Sequence, residues 1–246
     1  MKHFYDTIGL NYSNLRKPDP RIAALLESKL GDAQTIVNIG AGTGSYEPKN
    51  KHVIAVEPSS IMIAQRPTNS APVTQCSAED LPFSDNQFDL SLAILTIHHW
   101  QDQLQGLNEM KRVSKRQLIF TWNPLNPGFW LTQNYFPEIL SIDKSIFPRL
   151  SSIEKVLGSL NVHPVPIPAD CSDGFGCAYW NRPEAYLSDK VRLAISTFNK
   201  INKVEEGVTQ LRQDIKNGTW DRNYGHLRQL EEFDLGYVLL SSTDKL

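Results

Sequence analysis

The stretch Thr35-Ile-Val-Asn-Ile-Gly-Ala-Gly-Thr-Gly44 decides the fold. Its first five residues are mostly apolar or β-branched, the composition of a buried strand, and glycines then recur at every second position. Glycines lack Cβ atoms, so backbone at 40, 42 and 44 can approach a ligand closely, and the stretch reads as a strand entering a nucleotide-binding turn. The dinucleotide fingerprint needs its third glycine at position 45, but Ser45 stands there and Gly44 comes one residue early. That spacing argues against a nicotinamide oxidoreductase.

Downstream, His52-Val-Ile-Ala-Val-Glu57 is a second apolar run closed by an acid, seventeen residues after Gly40. An acid at the end of the second strand can accept both ribose hydroxyls of a nucleoside. Further runs of strand length fall at 73–76, 90–95 and 118–121, separated by helical stretches. One of these stretches, Gln103 to Val113, carries Leu104, Leu107, Met110 and Val113 as an apolar stripe. Strands alternating with helices predict a doubly wound α/β fold, with a parallel sheet covered on both faces.

Beyond the fifth run, Pro124, Pro127 and Gly128 break regular structure, and an aromatic-rich stretch follows over 129–147. Patterning then predicts a helix over 152–160, a strand over 162–167, helices over 183–203 and 204–217, and a last strand over 235–241. Residues 168–234 are therefore expected to be a helical insertion between the last two strands.

At 246 residues the chain has room for one decorated domain. Its 25 Lys and Arg residues nearly balance its 27 Asp and Glu residues and are spread along the chain, so no nucleic-acid partner is expected. No run approaches the roughly 18 apolar residues of a membrane span, and the first twenty residues lack a signal-peptide core. These features predict a cytoplasmic protein with no membrane partner, either a monomer or a homodimer. Cys76, Cys171 and Cys177 have no zinc spacing and read as reduced thiols, so no metal site is expected.

Four ordered blocks resemble the class I S-adenosylmethionine-dependent methyltransferases, in the group containing the ubiquinone/menaquinone C-methyltransferases and the trans-aconitate methyltransferases. They are Val37-Asn-Ile-Gly-Ala-Gly-Thr-Gly44, Val56-Glu-Pro-Ser-Ser-Ile-Met62, Ser77-Ala-Glu-Asp-Leu-Pro-Phe83, and Phe88-Asp-Leu-Ser-Leu-Ala93 continuing to His98-His-Trp100. The resemblance covers residues 35–123. It implies a Rossmann-like seven-stranded sheet of order 3-2-1-4-5-7-6 with the seventh strand antiparallel. It also implies S-adenosyl-L-methionine as cofactor, a small-molecule methyl acceptor, and a division into N-terminal lid helices (1–34), a cofactor-binding core (35–123) and a helical cap (168–234).

Residue by residue, the resemblance places Gly40, Gly42 and Gly44 against the methionine part of the cofactor and Glu57 on its ribose. Pro58, Met62, Ala78 and Glu79 fall to the adenine, Ala93 to the methionine moiety, and Tyr12 to the lid. Two departures stand out. Asn38 occupies a position where the family has an acid, leaving it able to orient loop amides without a charge, and no glycine pair precedes the fifth strand.

Ligands of open parallel sheets bind beyond the carboxyl ends of the strands, which selects the loops after strands four, five and six for the acceptor. His98 is the candidate general base, and His99, Trp100, Trp122, Asp173 and Phe175 are candidate substrate contacts. Capping of the strand-to-helix turn is the competing role for 98–100, and ordinary core packing is the competing role for the aromatics of 170–180. Two other readings of the whole chain stay open: a non-catalytic S-adenosylmethionine-binding effector protein, and an arsenic methyltransferase using the three cysteines as soft ligands.

Overall fold

The computed structural model describes residues 16–242. Helix α1 (Pro20–Ser28) starts at the N-cap Asp19, whose carboxylate accepts the Arg21 amide, with Pro20 in the first turn where no amide is needed. Strand β1 (Thr35–Ile39) follows, then β2 (His52–Val56), helix α2 (Ser60–Ala64), β3 (Val73–Thr74) and β4 (Phe88–Ile94). Helix α3 (Gln103–Val113) leads into β5 (Ser114–Trp122). After β5 come a π-type turn at Leu131–Tyr135, helices α4 (Pro137–Ile146) and α5 (Leu150–Leu157), and strand β6 (Leu160–Pro164). A two-residue strand β7 (Ile167–Pro168), short helices to residue 229, including α6 (Asp189–Leu193), α7 (Val204–Lys216) and α8 (Thr219–Tyr224), then β8 (Glu232–Phe233) and β9 (Tyr237–Ser242) complete the described chain.

The main sheet has order β3-β2-β1-β4-β5-β9-β6, with only β9 antiparallel to its neighbours. This is the expected topology, with β9 in the role of the seventh strand and the helical insertion lying between β6 and β9. Side-chain alternation along each strand feeds two cores. Ile36, Leu92, Leu118 and Leu239 pack with Ile22 and Leu26 of α1 and with the aromatics of 129–227. On the other face, Val37, Ile119 and Leu240 pack with Leu107 and Met110 of α3 and Ile153 of α5.

Several expectations need correction. Leu107, Met110 and Val113 of the α3 stripe are buried, but Leu104 is 61% exposed. Steps of three residues fall short of a full turn by about 60° each, so Leu104 lies roughly 180° from Val113 around the helix. The strand predicted over 162–167 is split. Pro164 ends β6 after residues paired to β9, and Ile167–Pro168 pairs instead with Glu232–Phe233 in a separate ribbon. The single helix predicted over 183–203 is three short pieces, Pro183–Leu187, Asp189–Leu193 and Ser196–Lys200. Its buried residues, which include Pro183, Tyr186, Arg192, Ala194, Ile195, Thr197 and Phe198, follow no continuous stripe. Within the aromatic stretch, α4 was not foreseen.

No loop separates α3 from β5, which explains the missing glycine pair. Ser114 is both the residue after the helix and the first of the strand, its hydroxyl lying 2.9 Å from the Met110 carbonyl oxygen and 2.7 Å from the Ser91 hydroxyl. Among the described residues, no helix is long and apolar enough to cross a membrane.

Candidate functional site

A cavity of about 400 Å³ opens at the carboxyl ends of β1, β2 and β4, within the usual range for small-molecule sites. The loop after β1 forms its floor. Gly40 and Ala41 donate their amides to the Val56 carbonyl (2.8 and 2.9 Å), and Gly42 donates to the Glu57 carboxylate (2.8 Å). Gly40 sits at φ +69°, and a Cβ there would lie 2.0 Å from Thr96 Oγ1. Only glycine meets both conditions, which ties this sequence position to the close approach of the loops after β1 and β4.

Glu57 is buried at the end of β2. Its carboxylate oxygens accept the amides of Gly42 and Ser59 (2.8 and 3.0 Å), so the acid that faces the cavity also fixes the loops on both sides of it. A carboxylate has about four acceptor positions, so these bonds are compatible with a diol as a further partner. Met62, Pro58, Ala78 and Glu79 line the same cavity. Met62 is positioned by Ser59, which caps α2 by accepting the Met62 amide on its side chain. Glu79 turns Oε1 toward the loop after β4, accepting from Gln101 and Asp102 amides at 2.7 and 3.1 Å.

Asn38 does not orient the loop amides, which are taken by Val56 and Glu57. Its Nδ2 donates to Glu47 (3.3 Å), itself paired with Arg66 at 2.7 Å, while Oδ1 is buried in the cavity wall with no partner among the described residues. An orphaned buried acceptor is costly, and a ligand ammonium or hydroxyl would satisfy it. The donor set therefore fits an amino-acid-bearing nucleoside: a buried strand-end acid for a ribose, an apolar slot at Met62 and Ala78 for a base, and an unsatisfied acceptor beside the glycine loop.

Ala93 is misplaced by the resemblance. Strand alternation sends its side chain into the core with Val37 and Ile119, and Ile94, Leu95 and Thr96 reach the cavity instead. Leu95 stands at φ +49°, and Tyr46, another wall residue, at φ +62°. Non-glycine residues held in the left-handed region are strained, and such strain concentrates at functional sites.

His98, His99, Leu95 and Arg16 also line a second, inner cavity of about 80 Å³ beneath the helices of 129–198. Trp122 and Phe175 belong to this inner space, Trp122 with its indole N–H donated to the Leu235 carbonyl at 2.9 Å. Trp100 stays in the outer cavity, packed on Gly106, its buried Nε1 without a partner among the described residues. His98 stacks on Phe147 (centroids 3.9 Å apart, 17° between planes). Burial, with help from His99, Lys200 and Arg16, pushes its pKa well below the usual value; burial and the same two cations take His99 to about 3. Both imidazoles are neutral at physiological pH, the form able to accept a proton.

Asp173 lines neither cavity. Its buried carboxylate pairs with Arg16 (2.6 Å) and accepts the Tyr46 hydroxyl (3.0 Å), so the loop after β7 is tied to the N-terminal strap and the glycine loop. In sequence, an acid in a Gly-rich aromatic loop looks the same whether it faces a ligand or an arginine, so the expected substrate contact is instead a structural tie. Tyr12 lies outside the described residues. Arg16, which the resemblance places in the lid segment with Tyr12, lines both cavities. Tyr46 and Thr96 have no sequence signal; a Thr two residues before His98 becomes legible only once Gly40 is seen against it. Cys171 and Cys177 are thiols raised to about 12 by burial, and Cys76 lies in neither cavity. Among the described residues, no three His, Cys, Asp or Glu side chains gather as a metal site.

A family model for the methyltransferase domain matches residues 37–120. The crystal structure of a putative methyltransferase from an antibiotic biosynthesis pathway of Anabaena variabilis ATCC 29413 is 32% identical and superposes with a TM-score of 0.86, covering 94% of this chain and 100% of that one. The chloroplastic 2-methyl-6-phytyl-1,4-hydroquinone methyltransferase of Spinacia oleracea is 28% identical over 156 residues, 55% of this chain and 44% of that protein. The tRNA (carboxymethyluridine(34)-5-O)-methyltransferase of Schizosaccharomyces pombe is 28% identical over 127 residues, 48% and 55% of the respective chains. The chain spans about half the length of these two curated relatives. Fold and site define an α/β protein built to hold a nucleoside-containing cofactor at its strand ends. The chain belongs to the class I S-adenosylmethionine-dependent methyltransferases.

Proposed function

We propose that the protein transfers a methyl group from S-adenosylmethionine to a small-molecule acceptor held under residues 168–234, which act as a cap. The observation that carries this reading is the pair of cavities: an outer one on the glycine loop and Glu57, and an inner one whose wall includes Trp122, Phe147, Phe175 and Tyr237, both lined by His98 and His99. When bound, the cofactor supplies an activated methyl group on a sulfonium sulfur.

The protein's task is then alignment and exclusion of water. Glu57 accepts the ribose hydroxyls, Pro58, Met62, Ala78 and Glu79 surround the adenine, and Asn38 with Gly40 and Gly42 receives the amino-acid end; Gly44, expected there too, lies off the cavity with its open side toward Glu47, Arg66 and Ser70. His98 and Trp100 border the outer space where an acceptor meets the cofactor, and Trp122 and Phe175 wall the inner space. If the acceptor loses a proton, His98, which lines both cavities, is the candidate to take it, as a weak base, because burial holds its pKa well below the usual value. Charge balance supports a small molecule over the RNA named for one relative, because the chain carries a formal charge of −2.

The test is product formation. Protein incubated with S-adenosylmethionine and panels of phenols, hydroquinones and amines is expected to release S-adenosylhomocysteine with at least one panel member. Cofactor binding without turnover on any small molecule would favour the effector reading.

A further inference from the structure

A carboxylate stands in the inner cavity where the rest of the wall is mostly apolar. Asp143 belongs to α4, with Ile139 four residues and Leu140 three residues before it, both in the same cavity wall. Asp is a poor residue for a helix interior. Its Oδ1 accepts the hydroxyl of Thr197, at 2.7 Å, from the turn Ser196–Lys200 on the opposite wall. Thr197 is itself 5% exposed. Around the pair lie Trp122, Phe129, Phe147, Phe175 and Tyr237.

Resting on the methyltransferase reading above, the geometry points to Asp143 as the specificity-determining anchor of the acceptor, selecting a non-anionic head group that donates a hydrogen bond, an amine or a hydroxyl. The inner cavity is about half the roughly 150 Å³ of an apolar cavity that admits benzene, so it takes a head group and leaves the rest of the acceptor toward His98 and the cofactor. Thr197 occupies one acceptor position of the carboxylate and holds it in place; the others serve the ligand. An ammonium gains further from the ring faces of the wall, and a carboxylate-bearing molecule meets a like charge in a poorly solvated space. Burial raises the Asp143 pKa to about 6, an effect that Thr197 and Lys200 oppose, so at neutral pH the anionic form predominates.

The experiment compares benzylamine, benzyl alcohol and benzoate binding to the full chain saturated with S-adenosylhomocysteine, by ligand-observed NMR. Wild-type protein is expected to bind the amine or the alcohol about tenfold more tightly than benzoate, the size of a charge-assisted hydrogen bond. Asp143→Asn should abolish that preference while leaving S-adenosylhomocysteine affinity unchanged, and Thr197→Val should weaken it about threefold. A larger loss for the amine than for the alcohol in Asp143→Asn identifies an ammonium; equal losses identify a hydroxyl. Benzoate binding as well as the others to wild type, or a preference unchanged in both folded variants, overturns the assignment. Failure of wild type to bind S-adenosylhomocysteine would instead refute the reading on which it rests. Should Asp143→Asn not fold, Thr197→Val alone decides.

Discussion

Residues 35–122 and residues 124–236 bury apolar surface in opposite ways. The first region repeats strand, turn and helix, and its site is made from backbone: amides of the glycine loop, strand ends and one buried acid. In the second, elements are mostly five to thirteen residues long and are held by aromatic edges, such as Trp130 against Tyr135, Tyr186 and Trp220. A backbone-built site depends on geometry that one residue type alone permits at each special position, whereas a side-chain-built site can change its ligand by single substitutions without changing the fold.

The link between the regions should show the largest stability effect. Removing the carboxylate in Asp173→Ala leaves Arg16 and the Tyr46 hydroxyl without it at a buried site, and a loss of about 3–5 kcal/mol is expected in urea unfolding. A loss under 1 kcal/mol would mean that the two regions are joined chiefly by apolar packing. Gly40→Ala, one methyl group in the first region, should cost about 2–4 kcal/mol, because it combines a clash at Thr96 with left-handed backbone. Thr96→Ala in the same chain should restore part of it. A single alanine tolerated at Gly40 would break the claim that the first region is set by backbone.

How much of this was legible in the sequence follows the same division. Gly40, Gly42 and Glu57 could be placed because the fold repeats a pattern and the spacing of loop and acid carries the chemistry. Ala93 was misplaced by one residue because side chains alternate across a strand and a motif gives position without face. Residues 183–203 carry enough apolar positions to suggest one helix, but what they bury is set by aromatics from 130, 136 and 220, which no local period reveals. Asp143 did leave a signal, a lone acid on the apolar face of an amphipathic stretch, which is legible only after the stretch is known to be a helix.

A further contrast lies in the pH dependence of stability. His98 and His99 are held neutral when folded, so the unfolded chain binds more protons below the ordinary histidine value of 6.5. Their contribution is complete above pH 6.5 and declines as pH falls, for His99 toward about 3. Asp143 has the opposite sign: raised from 3.8 to about 6, it favours the folded state as pH drops through that window. Unfolding midpoints followed downward from neutrality should therefore decline gently. Asp143→Asn should steepen the decline and His98→Phe should flatten it. Slopes identical in all three proteins would show that the junction of the two cavities is open to water.

The proposed function requires that the loop of 40–44 and Glu57 hold S-adenosylmethionine. Calorimetry of S-adenosylhomocysteine and NAD on wild type and Glu57→Ala tests it most directly. Binding of S-adenosylhomocysteine alone is expected, weakened about 100-fold in a folded Glu57→Ala by loss of hydrogen bonds to a buried charge. Equal affinity in the two proteins, or binding of NAD in place of the adenosyl compound, would contradict it.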